Sequence, residues 1–199
     1  MSDVEIGLRD RKKAGVRSAL VEAGIALFRE RGFDAVTVDE IAAAADVSRR
    51  TFFRYFATKE AVLFARRQEQ FERLRGQLAA SDAADAFEGV RAALLGLARE
   101  YRTHRRQILD EQRIVRANPW LVARDLEVDR GYEHVIAEHL LRRTGRSISA
   151  QRRARILAAA VVGAVRVTLD EWAERHGELD LARVGGEALD LVAGIANSH

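Results

Sequence analysis

Val16, Leu20, Ala23 and Leu27 recur at steps of four, three and four, the interval that brings side chains onto one face of an α-helix. This stripe predicts a first helix from about Arg9 to Arg31. Gly32 follows it and supplies the left-handed residue that commonly closes a helix, with Phe33 just beyond to fold back on the last turn. Thr37-Val38-Asp39-Glu40 announces a second helix as a capping box, in which the Thr37 oxygen takes a backbone N–H and Glu40 reaches back to the Thr37 N–H. Ile41, Ala42 and Ala45 give it a short apolar face, and Asp46-Val47-Ser48 interrupts it. Ser48 caps a third helix with Arg49, Arg50 and Thr51 in its first turn, and Phe52 and Phe56 share the inward face. Thr58 caps a fourth, followed by Lys59 and Glu60.

From Thr58 onward the pattern predicts five or six helices, with breaks near Ser81-Asp82, Thr103-His104, Asn118-Pro119, Thr144-Gly145 and His176-Gly177. Pro119 suits the first position of a helix, with Asn118 as its cap. Ser149 is expected to cap the next long helix and Gly177 to end it, and the last helix spans roughly Asp180 to Asn197. In that last helix Leu181, Val184, Ala188, Leu191 and Ile195 form a stripe. The preceding helix carries two: Ile156, Ala160, Gly163 and Val167, and then Val162, Val165, Leu169 and Trp172. A helix apolar on two faces must bury both. One face packs on its own domain, and the other needs a partner, which the small residues Ala158, Ala159 and Gly163 would let approach closely. The competing reading is the central helix of a monomer core. The whole is an all-α chain of about nine helices.

Composition narrows the chemistry. Among 199 residues there is one proline and no cysteine, which removes disulfide frameworks, thiolate metal sites and cysteine nucleophiles. The acidic start, Met1-Ser2-Asp3-Val4-Glu5, lacks the basic-then-apolar order of a signal peptide. The longest apolar run, Ile156 to Val165, is too short to span a bilayer. A cytoplasmic protein without a membrane partner is expected. The net charge of +3 says little about partners, but its placement says more. Arg9, Arg11, Lys12, Lys13 and Arg17 cluster early, and Arg49, Arg50, Arg54 and Lys59 cluster again. Such clusters suit a folded module that turns one face toward phosphate, or simply a solvated helix face.

Two short helices, a three-residue turn and a capped second helix read as a helix-turn-helix. In such a unit the first turn of the second helix meets base edges in the major groove. Here that turn carries Arg49, Arg50 and Thr51, and arginine is the side chain best suited to a bidentate contact with guanine. Thr37, Ser48 and Thr58 offer helix-start hydroxyls to phosphate. Phe52, Val47, Ile41 and Phe56 read as core, Phe53 as either contact or packing, and Arg54 as a solvated charge. The stretch AGIALFRERGFDAVTVDEIAAAADVSRRTFFRYFATKEAVL, residues 23–63, resembles the DNA-binding domain of the TetR family of one-component regulators.

The resemblance implies a DNA-binding domain over residues 1–57 and a ligand-binding and dimerisation domain over 58–199. Thr37 and Lys59 align with phosphate-contacting residues, and Tyr55 with a residue that reaches the DNA backbone. Arg49 and Arg50 fall on positions that vary with sequence preference. The set expected at DNA is therefore Thr37, Ser48, Arg49, Arg50, Thr51, Phe53, Tyr55, Thr58 and Lys59, with Arg11 and Lys12 reaching an adjacent groove or phosphate. The last two helices would form a four-helix bundle with their copy in a C2 homodimer, through Ala159, Gly163, Val167, Val184, Leu191 and Ile195. The middle helices would enclose a small-molecule effector, lipophilic or acyl-CoA-like, with Tyr101, Arg102, His104, Trp120, Tyr132 and Trp172 as candidate lining. The implied function is a repressor released from its operator by that effector, with an activator as the alternative.

Two other classes compete. A di-iron helical-bundle enzyme needs Glu-x-x-His pairs, and none of the five histidines has a glutamate three residues before it. No His-Glu-x-x-His, Gly-x-Ser-x-Gly or phosphate-cradling glycine loop occurs either. No metal, cofactor or catalytic residue is therefore expected. The basic, striped segment 9–31 also suits a membrane-surface helix, although burial of that stripe against the second and third helices would account for it.

Overall fold

The computed structural model describes residues 2–144 and 147–197, and side chains over 11–142 and 147–194. The regular structure among the described residues is helical: α1 (Ser2–Arg31), α2 (Val38–Ala44), α3 (Arg49–Tyr55), α4 (Lys59–Leu63), α5 (Ala65–Ala80), α6 (Ala86–Glu100), α7 (Arg105–Arg116), α8 (Pro119–Thr144), α9 (Ile148–Glu174) and α10 (Leu181–Asn197). That is one helix more than the pattern predicts. The extra break falls at Phe64, which leaves helical ψ as the C-cap of α4 before α5 begins. The chain forms two compact units, Met1–Gln68 and Glu69–His199. The division lies inside α5, eleven residues beyond the expected boundary at 57/58, because α4 packs on α1.

In the first unit Leu20, Ile25 and Phe28 of α1 are buried, as are Phe33, Val36, Ile41, Phe52 and Val62, and the Phe28 and Phe33 ring centroids lie 4.8 Å apart. Of the apolar stripe of residues 9–31, Leu20 is buried and Val16, Ala23 and Leu27 are half-buried. Gly24 is required for the contact between α1 and α4, since a Cβ there would stand 2.6 Å from Val62 Cγ1. Gly32, at φ +82°, reverses the chain after α1, and its N–H returns to the Phe28 carbonyl at 2.9 Å. Asp46, at φ 53°, makes the sharp turn between α2 and α3.

The second unit is built around Leu74 and Leu78 of α5, Val90 and Leu97 of α6, Ile136 and Leu140 of α8, Ala158 and Val161 of α9, and Leu189 of α10. A smaller cluster joins Tyr101, Ile108, Trp172 and Leu181. Two caps differ from expectation. Ser147, not Ser149, caps α9 by accepting from Ala150 N–H at 3.2 Å, while Ser149 lies in the first turn with its Oγ 3.1 Å from that of Ser147. Asn118 gives its carbonyl to the first turn of α8, but its side-chain amide donates back to the Ile114 carbonyl at 2.7 Å and so closes α7. Of the expected Thr144-Gly145 break, Thr144 ends α8 and Gly145 lies outside the described residues. His176 and Gly177, at φ 52° and 74°, provide the turn between α9 and α10.

Candidate nucleic-acid interface

Three hydroxyl residues start the short helices of the first unit. Thr58 Oγ1 accepts from Ala61 N–H at 3.3 Å. Ser48 Oγ accepts from Thr51 N–H at 3.1 Å and lies 3.0 Å from Thr51 Oγ1. At α2 the capping box is complete: Glu40 N–H donates to Thr37 Oγ1 at 3.3 Å, and Glu40 Oε2 accepts from both the N–H and the hydroxyl of Thr37 at 2.8 Å. Both donors of Thr37 are thus engaged by Glu40.

Arg31 Nη1 donates to Glu40 Oε1 at 2.7 Å. The Thr37 backbone N–H foremost, then Arg31 and the Thr37 hydroxyl, hold the Glu40 carboxyl down to about 2. A carboxyl depressed on folding stabilises the folded state above its ordinary range and loses that contribution as pH falls toward its folded value. Glu40→Gln is therefore expected to lower the unfolding midpoint at pH 7. The difference from the parent should shrink between pH 4.5 and about 2, as read from thermal melts across that range. A pH-independent difference would contradict the assignment.

On α3 the inward and outward faces are sharply divided. Phe52 is fully buried, with its ring 5.9 Å from Phe56 and edge-on to Phe53 at 5.4 Å. Phe53 itself is 46% exposed. Arg49 Nη1 pairs with Asp39 Oδ2 of α2 at 2.5 Å, and the guanidinium lies 5.4 Å from the Phe53 ring centroid. Arg50 is exposed and makes no hydrogen bond or ion pair among the described residues. Thr51 and Tyr55 are half-buried, and Arg54 lies 5.1 Å over the Tyr55 ring. Arg11 and Lys12 are exposed on α1.

Lys59 is engaged within the first unit. Its ammonium donates to the carbonyls of Phe33 at 2.8 Å, Val36 at 2.9 Å and Asp34 at 3.4 Å, and sits 4.4 Å over the Phe33 ring. An ammonium has three N–H donors, so these three acceptors use all of them. Lys59 thus clamps the connection between α1 and α2.

The comparisons with known proteins agree with this geometry. A family model described as bacterial regulatory proteins, tetR family, matches residues 20–65, and one described as the MftR C-terminal domain matches residues 84–196. The HTH-type transcriptional regulator TcmR of Streptomyces glaucescens is 30% identical over 173 residues, covering 83% of this chain and 76% of TcmR. The chain belongs to the TetR family. MftR of Mycobacterium tuberculosis, named for regulation of mycofactocin biosynthesis, is 29% identical over 187 residues, covering 92% of this chain and 91% of MftR. The crystal structure of Thermus thermophilus FadR, a TetR-family repressor in complex with lauroyl-CoA, has a TM-score of 0.55 at 31% identity. It covers 89% of this chain and 93% of that one.

As a TetR-family protein the chain is a DNA-binding transcriptional regulator, and its first unit is the helix-turn-helix module. Its second unit does not bring the six candidate effector residues together. Tyr101 and Trp172 are buried edge-to-face at 5.6 Å in the smaller core cluster, and the Tyr101 hydroxyl donates to Gln70 Oε1 at 3.4 Å. Arg102, His104 and Trp120 are exposed. Tyr132 is half-buried against Phe71, with ring centroids 5.3 Å apart.

The expected dimer residues also divide. Ala159, Val167 and Leu191 are exposed and Gly163 is half-buried. Val184 instead packs inward on the cluster of Tyr101 and Trp172, and Ala158 is fully buried in the main core. Ile195 lies outside the residues whose side chains are described. No helix among the described residues is long and apolar enough to cross a membrane.

Asp39, paired with Arg49, is a residue of this candidate interface that the sequence pattern does not single out. It sits inside the capping box of α2, ten positions before its partner Arg49, and no helical period links the two.

Proposed function

We propose that this regulator is a repressor that binds a two-fold symmetric operator as a homodimer and leaves it when a small molecule occupies the second unit. The observation that carries the DNA-binding half is the division of α3: Phe52 anchors the helix in the core while Arg49, Arg50 and Phe53 project from it. Arg49 and Arg50 read bases, and Ser48, Thr51, Tyr55, Thr58, Arg11 and Lys12 meet the backbone. Thr37 and Lys59 hold these elements in place from within. Dimerisation is supported by the apolar residues that α9 and α10 leave exposed, namely Ile156 and Val167 at 65% and Leu191 at 72%.

The likeness to FadR supports an effector with a long acyl chain, and Tyr132 beside Phe71 is the candidate from the original six that lies neither in the packed core nor on the open surface. Release by the effector requires it to bind the DNA-free conformer more tightly, and by linkage DNA then weakens effector binding by the same factor.

The test is selection of duplexes from a random pool, followed by salt titration of the selected sequence and challenge with lauroyl-CoA. A sequence-selective, salt-sensitive complex that lauroyl-CoA dissociates is expected. Failure to enrich any sequence would overturn the regulator reading, and a complex indifferent to lauroyl-CoA would overturn the effector class. Arg50→Ala should relax preference at one base pair of each half-site by about 5- to 150-fold, the discrimination of one bidentate arginine–guanine pair.

A further inference from the structure

Asp39 is an acidic side chain on α2 that makes its ion pair with the first residue of α3. On a surface meant for phosphate an unpaired carboxylate would be costly, yet this one is 61% exposed and spent on a single partner, Arg49 Nη1. The Phe53 ring supports the same guanidinium from a second direction, and Phe53 is in turn braced edge-on against the buried Phe52. Arg49 is thus held from two sides by residues of different helices, whereas its neighbour Arg50 is held by none.

We propose that Asp39 is a specificity-determining residue of the DNA interface, acting through Arg49: it fixes one edge of the guanidinium so that the remaining donors are presented to a guanine rather than to the nearest phosphate. This rests on the DNA-binding reading of the first unit.

The physical argument concerns where the pair acts. In the free protein an ion pair this exposed contributes little to stability. Against DNA, water is excluded from it and its electrostatic strength rises. A flexible arginine can satisfy itself on any phosphate, which adds affinity without sequence information. An arginine with Nη1 already engaged has a fixed plane, and a bidentate contact to guanine O6 and N7 requires such a plane. The carboxylate also repels phosphate from the site it guards, which lowers affinity for every wrong sequence. Arg49 and Arg50, adjacent in sequence, thereby acquire different characters, one oriented before binding and one free to adapt.

The experiment compares parent, Asp39→Asn and Asp39→Glu on a duplex selected from a random pool and on its single-base-pair variants, with thermal unfolding of each protein alongside. Asp39→Asn frees Arg49 for phosphate. Its discrimination at one base pair per half-site should fall about tenfold or more, and its log K against log salt slope should steepen by about one per protomer. Asp39→Glu keeps the charge but moves it outward by a methylene, so its slope should match the parent while its preference at that base pair changes. Unchanged slope and preference in Asp39→Asn would overturn the proposal, as would a uniform loss of affinity that tracks a lower unfolding midpoint, the mark of a mere staple between helices. No selective binding by the parent would overturn the regulator reading itself, which separates the two failures.

Discussion

Leu191→Glu is expected to leave the protein folded but monomeric, and to weaken binding to a selected two-fold duplex by about 10²- to 10⁴-fold, the gain that linking two binding modules confers. Leu191 is 72% exposed on α10, and Ile156 and Val167 are each 65% exposed on α9. None of the three contributes much to the core of its own unit, so a charge there leaves that core intact. A two-fold interface counts every residue twice. The exposed set therefore amounts to six large apolar side chains per dimer, each worth about 1.5–3 kcal/mol when fully buried. The substitution removes two of them and sets two carboxylates where the symmetric copies meet. Sedimentation equilibrium reads the mass, and titration of the duplex reads the affinity. A variant that remains dimeric would show that these faces are not the interface. A monomer that binds as tightly as the parent would show that the two half-sites are not read together.

The parts of this molecule legible in its sequence are those held by local contacts. The capping box of Thr37 and Glu40 and the caps at Ser48 and Thr58 join residues three apart, so each helix start of the first unit is encoded where it occurs. The two apolar faces of α9 are legible for the same reason, and Ile156, Ala160 and Val167 do face outward while Val162 and Trp172 face inward. Which small residues lie on which face was less clear: Ala158 and Ala159 are neighbours in sequence but about 100° apart around a helix, and only Ala159 is exposed.

What the sequence hides is tertiary. Ser147 and Ser149 have the same capping chemistry, and geometry alone selects Ser147. Asn118 has two helix ends within reach and serves α7 with its side chain. Lys59 donates to three carbonyls 23 to 26 residues earlier, contacts that no local pattern announces. Aromatic side chains in the second unit carry no local sign of whether they line a site, and Tyr101 and Trp172 prove to be core.

Phe52→Ala is expected to cost about 3–5 kcal/mol, the range for truncating a buried phenylalanine to alanine, whereas Phe53→Ala, one residue on, should cost under about 1 kcal/mol, as surface positions usually do. Phe52 is fully buried with rings on both sides, and the cavity it leaves lies beneath α3. A domain stable by about 5–15 kcal/mol loses a large share of that margin. The midpoint of a unit this size should fall by more than 10 °C, since each kcal/mol shifts a 60–100-residue domain by about 4–8 °C. Hydrogen exchange locates the effect: amides of α1 to α4 should lose protection in Phe52→Ala while those of α8 to α10 keep it. Phe53→Ala should leave protection unchanged throughout. Its effect belongs to DNA, because it removes the ring beneath Arg49 and leaves Asp39 to hold the guanidinium alone. Equal destabilisation by the two substitutions would mean that α3 has no outward face, and the assignment of Arg49 and Arg50 to base reading would fall with it.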